Sequence, residues 1–132
     1  ERSFGQLEGK TYDEIAKEHP VLSFHRSWNH PYYQIPEGER LVDVYQRGIQ
    51  FLTEISDKNQ GKTVAIVSHG VILRCMISSL LQIPISQNYF YELGNASFTV
   101  FKLPLNKPAE LQVINNTAHL DREKKIRGQN LS

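Results

Sequence analysis

The most constraining feature of the chain is the run Thr63-Val64-Ala65-Ile66-Val67, which passes directly into Ser68-His69-Gly70 and then into Val71-Ile72-Leu73-Arg74-Cys75-Met76-Ile77. A short, unbroken, β-branched run reads as a strand buried in a parallel sheet. The second apolar run, ended by Ile83-Pro84, reads as a helix from about 71 to 82. Ser68-His69-Gly70 therefore stands at a strand-to-helix junction. Upstream, Leu41, Val44, Tyr45, Gly48, Ile49, Leu52 and Ile55 recur at helical spacing and predict an amphipathic helix from about 40 to 57. The helix–strand–helix order predicts an α/β domain, a three-layer α/β/α sandwich with a mainly parallel sheet. In such sheets ligands bind beyond the carboxyl ends of the strands, where His69 lies.

A histidine at that position has two readings. It can simply be satisfied at a strand end. It can also serve anion binding, because the first N–H groups of the following helix lack helical partners and the helix dipole adds partial positive charge. Gly70 presents no side chain to crowd a ligand, and a protonated imidazole can donate to a phosphoryl oxygen.

The rest of the chain supplies further elements. Thr11-Tyr12-Asp13-Glu14 is a capping-box pattern opening a short helix that must stop before Pro20. Residues 20–38 hold three prolines with Trp28, Tyr32 and Tyr33, an irregular segment of the kind that forms binding loops. These aromatics either line a substrate entrance or form a satellite cluster under the loop. Residues 97–103 and 110–115 read as two strands joined by the Pro104–Pro108 turn, and the polar tail from Asp121 reads as frayed.

Composition narrows the partners. Fifteen basic against 14 acidic residues give a net charge of +1, with no reason to expect nucleic acid or membrane as partner. No apolar stretch approaches bilayer length. One cysteine excludes an intrachain disulfide and favours a reducing, cytoplasmic compartment. Cys75 itself, inside an apolar run, reads as a small buried hydrophobe. The spacings of His19, His25, His30 and His119 match no metal-ligand pattern.

Several segments together resemble the histidine phosphatase superfamily, which includes the phosphoglycerate mutases and many small phosphatases. Ile66-Val67-Ser68-His69-Gly70-Val71-Ile72-Leu73-Arg74 is similar to its second-histidine motif. Glu1-Arg2-Ser3-Phe4-Gly5-Gln6-Leu7-Glu8-Gly9 looks like the block carrying its acid/base glutamate. Glu37-Gly38-Glu39-Arg40-Leu41, Asn95-Ala96-Ser97 and Asn116-Thr117-Ala118-His119-Leu120 resemble later blocks in the right order.

The resemblance implies a phosphoryl-transfer enzyme, most simply a phosphomonoesterase working through a phosphohistidine, with phosphoglycerate mutase as the alternative enzyme and a non-catalytic binding module as the alternative of another class. Glu1 and His69 are the implied catalytic residues. His69, Gly70, Val71, Asn95 and Glu39 are the implied phosphate or substrate contacts. Glu39 can equally favour the start of its helix, and Asn95 can equally form a turn with Gly94. Arg47 and Arg74 fall on helices, where structural ion pairs are expected; His119 is expected to be structural. The general-acid role of Glu1 needs a carboxyl raised by partial desolvation. No metal and no organic cofactor are implied.

One motif is missing. The family's nucleophile lies in an Arg-His-Gly motif on a first, central strand, and no Arg-His-Gly occurs here. His25-Arg26 has the reverse order. The chain, which opens on Glu1 rather than a methionine, is therefore expected to be the C-terminal part of a single phosphoglycerate-mutase-like domain spanning 1–132, inactive alone. It is expected to need an N-terminal segment or an exchanged chain to complete its sheet, a homodimer being one route, besides a phosphorylated small-molecule substrate.

Overall fold

The structure, a computed structural model, describes residues 1–20, 30–88 and 91–120. His25, Arg26 and Trp28 and the tail from Asp121 lie outside the described residues. The chain divides into two compact units, Glu1–Tyr91 and Glu92–Ser132.

The first unit is helical. Its short helix α1 (Tyr12–Glu18) carries the full capping box. The Glu14 N–H donates to the Thr11 hydroxyl at 3.3 Å, and the Thr11 N–H donates to the Glu14 carboxylate at 2.7 Å. Helix α2 (Leu41–Lys58) and helix α3 (Gly70–Leu80) follow. They pack through a core of Leu41, Val44, Ile72, Cys75 and Met76. Gly48 lets them approach closely: a Cβ there would stand 3.2 Å from Ile72 and 3.3 Å from Met76. Cys75 is fully buried in this core, and burial pushes its thiol up to about 11. It is a packing residue, as its apolar neighbours predict.

The far end of α3 is pinned by a buried polar network. The Ser78 hydroxyl donates to Asn88 at 2.9 Å and lies 2.8 Å from the Tyr91 hydroxyl, which donates to the Arg74 carbonyl. Arg74 reaches the Tyr91 carbonyl at 3.3 Å, and among the described residues it forms no ion pair.

A second cluster, Leu7, Ile15 and Ile35, has Phe4 and Tyr33 packed against it. Ile35 is fully buried and Tyr33 packs against this cluster, while Tyr32 is 65% exposed. For Tyr33 the satellite-cluster reading holds. Gly5 and Gly38 allow the segments around them to cross at backbone contact. Gly5 has φ +49°, and a Cβ on it would lie 2.2 Å from the Pro36 carbonyl.

The expected sheet is not what the described residues form. Thr63–Val67 forms no strand and pairs with none among them, and it is mostly exposed rather than buried: Val64 is 43% and Val67 97% exposed, with Ile66 half-buried. The β-branched pattern favours an extended backbone, but a buried strand also requires neighbours to accept its hydrogen bonds. Among the described residues the one sheet is the antiparallel pair β1 (Phe98–Lys102) and β2 (Glu110–Asn116) of the second unit, so the mainly parallel three-layer sandwich is replaced there by helices and a two-stranded ladder. Its register shifts between Phe98 and Val100 and again before Phe101. Asn115, at φ +47°, supplies the irregular position, a conformation asparagine tolerates.

Candidate active site

His69 is the N-cap of α3. Its backbone is extended, and its carbonyl accepts the Leu73 N–H at 3.0 Å. Its imidazole makes no capping hydrogen bond and the residue is exposed. Gly70 opens the helix, and a Cβ on it would meet nothing within 4 Å. The N-terminus of α3 thus opens directly beside His69, as the junction reading requires.

Glu1, 70 positions before Val71 in sequence, comes to the same place. One oxygen of its carboxylate accepts the Val71 N–H at 3.4 Å. The other accepts the Arg2 N–H at 2.8 Å. An anionic carboxylate therefore stands at the helix terminus whose N–H groups suit an anion. The partial desolvation expected of Glu1 is not supplied by the described residues, since Glu1 is exposed.

Glu39 holds the backbone on which Glu1 sits. Its N–H donates to the Ser3 carbonyl at 2.9 Å, and its carboxylate accepts the Ser3 N–H at 2.9 Å. The same carboxylate takes two bonds from the Arg47 guanidinium, at 2.9 and 3.0 Å. Burial alone would raise the Glu39 carboxyl, but Arg47 and the Ser3 N–H outweigh it and hold the group below the usual carboxylate range. Glu39 thus stands just before the N-cap of α2 and next to the segment that carries Glu1. Asn95 belongs to the second unit. It lies in a turn in which the Ser97 N–H donates to the Gly94 carbonyl at 3.0 Å, as its turn reading predicts. His119, also in that unit, rests its ring 5.9 Å from that of Phe98.

Two participants were not legible in the sequence. Arg47 forms the expected ion pair, but it also donates to the Glu1 carbonyl at 2.7 Å. Glu39 precedes the helix that carries Arg47, so no helical spacing announces the pair. Arg2 is only 4% exposed. Its Nε donates to the Glu39 carbonyl at 3.0 Å, and its guanidinium carbon lies 5.4 Å from the Phe4 ring centre. Burial lowers its pKa, opposed by the nearby Cys75, Glu39 and Glu1. A buried arginine in a polar stretch leaves no periodic signature.

Next to these residues a groove of about 430 Å³ is lined by Arg47 and Ser68 together with Phe51, Val67, Ile72 and Met76. Among the described residues, no group of three His, Cys, Asp or Glu side chains could hold a metal ion, and no helix is long and apolar enough to cross a membrane.

Residues 1–117 match the sequence model of the histidine phosphatase superfamily, branch 1. Phosphoserine phosphatase 1 of Hydrogenobacter thermophilus is 31% identical over 88% of this chain and 54% of its own length. Phosphoglycerate mutase-like protein 4 of Arabidopsis thaliana is 30% identical over 92% of this chain and 52% of its own. The chain thus spans about half the length of these curated relatives. Among solved structures, Bacillus stearothermophilus YhfR matches with a TM-score of 0.81 at 30% identity, covering 91% of this chain and 59% of that one. The alpha-ribazole phosphatase of Shigella flexneri shares the fold, with a TM-score of 0.73 at 23% identity over 88% of this chain and 57% of that one. The chain belongs to the histidine phosphatase superfamily.

Proposed function

We propose that these residues form the acid/base and phosphate-donor side of a phosphomonoesterase that works through a phosphohistidine. The observation that carries this reading is the Glu1 carboxylate held on the Val71 N–H, at the helix terminus capped by His69. A carboxyl placed there is beside the spot where a phosphoryl group would be bound by helix N–H groups and an imidazole.

In the first step a histidine nitrogen attacks phosphorus, a P–N bond forms and the P–O bond to the leaving group breaks. Glu1, protonated, gives its proton to the departing oxygen. In the second step water attacks phosphorus, the P–N bond breaks, and the Glu1 carboxylate takes the proton from water. His69 and the N–H of Gly70 donate to the phosphoryl oxygens, whose charge is spread in the transition state, and the N–H of Val71 joins them once Glu1, protonated, turns from it to the leaving oxygen. The attacking histidine is contributed from outside these residues, since the chain has no Arg-His-Gly. The segment that brings it, N-terminal in the same protein or from a second copy, also pairs with Thr63–Val67 and completes a parallel sheet. The exposure of Val67 beside an apolar groove supports that pairing. The enzyme works in the reducing cytoplasm, and without that segment this chain is inactive.

The test uses the whole protein with a panel of phosphomonoesters that includes phosphoserine and 3-phosphoglycerate. Release of inorganic phosphate, with a transient protein-bound phosphate that is acid-labile and base-stable, is the expected result. Isomerisation of the phosphoglycerate without net phosphate release would make it a mutase instead. Neither turnover nor labelling would leave a binding module.

A further inference from the structure

We infer that Arg47 is a positioning residue for the acid/base step, clamping Glu1 in register with the N-terminus of α3 through its joint hold on Glu39 and the Glu1 backbone. The inference rests on the proposed role of Glu1.

Three donor contacts define the clamp. Arg47 Nε and Nη2 bind the two carboxylate oxygens of Glu39 at 2.9 and 3.0 Å, and Nη2 also reaches the Glu1 carbonyl at 2.7 Å. Glu39 in turn fixes Arg2 through its carbonyl and Ser3 through both its N–H and its carboxylate. Each of the first three residues is thereby tied, one by one, to the pair Glu39–Arg47. The direction of the Glu1 side chain follows from that anchoring, because the contact of its carboxylate with the helix is a single 3.4 Å bond to Val71. One bond of that length does not hold a flexible glutamate in one place.

Stability does not account for the arrangement. The Arg47 and Glu39 side chains are 41% and 30% exposed, and an ion pair with that much solvent contributes little to folding. What the fork geometry of a guanidinium adds is direction: it bridges a carboxylate on one side and a carbonyl on the other, which an ammonium cannot match. Nor is Arg47 a free cation for substrate, since the Glu39 carboxylate neutralises it. Its carrier, α2, is packed on α3 through Val44 and Gly48, which ties the clamp to the helix whose terminus Glu1 meets.

The test separates positioning from mere structure by the leaving group. A general acid matters most when the departing alkoxide is basic, and little when it is already stable. In the whole protein, kcat/KM is measured for an alkyl phosphate and for p-nitrophenyl phosphate in Glu1→Gln, Arg47→Met, Arg47→Lys and the Glu1→Gln/Arg47→Met double variant. Arg47→Met is expected to lower the alkyl phosphate value about tenfold to a hundredfold, the scale of a misplaced catalytic group, and the nitrophenyl value only slightly. Arg47→Lys recovers part of the loss, and the Arg47→Met effect disappears in the Glu1→Gln background. Equal losses on both esters, or a full Arg47→Met effect on top of Glu1→Gln, would overturn the clamp. If Glu1→Gln itself shows no leaving-group selectivity, the assignment of Glu1 fails, and the clamp with it. Should Arg47→Met not fold, Glu39→Gln removes the charged anchor while keeping its shape and is read on the same two esters.

Discussion

Glu1 and His69 flank the same helix terminus, yet they are held in opposite ways. Glu1 sits on a backbone fixed at three successive residues by Glu39 and Arg47, over a crossing of two glycine-bearing segments. His69 follows a largely exposed run with no strand partner among the described residues, and its main chain is engaged through the first turn of α3. One side of the site is preorganised by contacts within this chain. The other has its backbone direction set by the helix it caps, while the run that leads into it is unpaired among the described residues.

This contrast can be broken or sharpened by experiment. The largest effect is expected at His69. His69→Ala should reduce kcat/KM of the whole protein by about a hundredfold to a thousandfold, the scale of losing one oxyanion-type donor, with little change in urea midpoint because the side chain is exposed and makes no capping bond. Unchanged turnover would reduce His69 to a helix cap. Next comes the packing beneath the Glu1 side. Ile35 is fully buried beside Leu7 and Ile15, so Ile35→Ala should cost about 3 kcal/mol by denaturant unfolding, within the range for large-to-small core changes. A loss below about 1 kcal/mol would mean that this crossing is looser than its packing suggests.

Val67 probes the other side. A residue 97% exposed should tolerate polar substitution within about 0.5 kcal/mol. If a strand from outside these residues covers Thr63–Val67, Val67→Ser will exceed that limit in the whole protein, and a neutral result would argue against the proposed pairing. The smallest effect concerns acid stability. The folded-state Glu39 carboxyl lies below its usual value, so its contribution is complete above the unfolded pKa of about 4.3 and is lost as pH falls through the lower folded value. Glu39→Gln should flatten the pH dependence of the urea midpoint in that acid window and leave its slope near neutrality unchanged. An undiminished acid slope would place the titrating group elsewhere.

What could be read from the sequence was local. The capping box at Thr11, the apolar stripes of α2 and α3, the burial of Cys75 and the His69-Gly70 helix start all arise from residues within a turn or two of one another. The run Thr63–Val67 has the composition of a buried strand, yet it is mostly exposed and unpaired among the described residues, because burial of a strand depends on partners that no property of the run specifies. The second unit illustrates the same limit. Its two strands follow from their composition, while the first register shift falls where Asn115 takes a left-handed backbone and donates its N–H to the Thr99 hydroxyl at 3.1 Å.

The sequence by itself determined the helices, the capping box at Thr11 and the placing of His69, Gly70 and Val71 at a helix N-terminus, because these depend on periodicity and short-range hydrogen bonds. Only the tertiary structure decided that the Glu1 carboxylate meets that terminus and that Arg47 holds Glu1 from beneath. Those contacts join residues 46 and 70 positions apart. They exist because Gly5 and Gly38 let two segments cross and because Gly48 lets α2 settle on α3, and close approach of this kind is a property of packed surfaces rather than of any one stretch of chain.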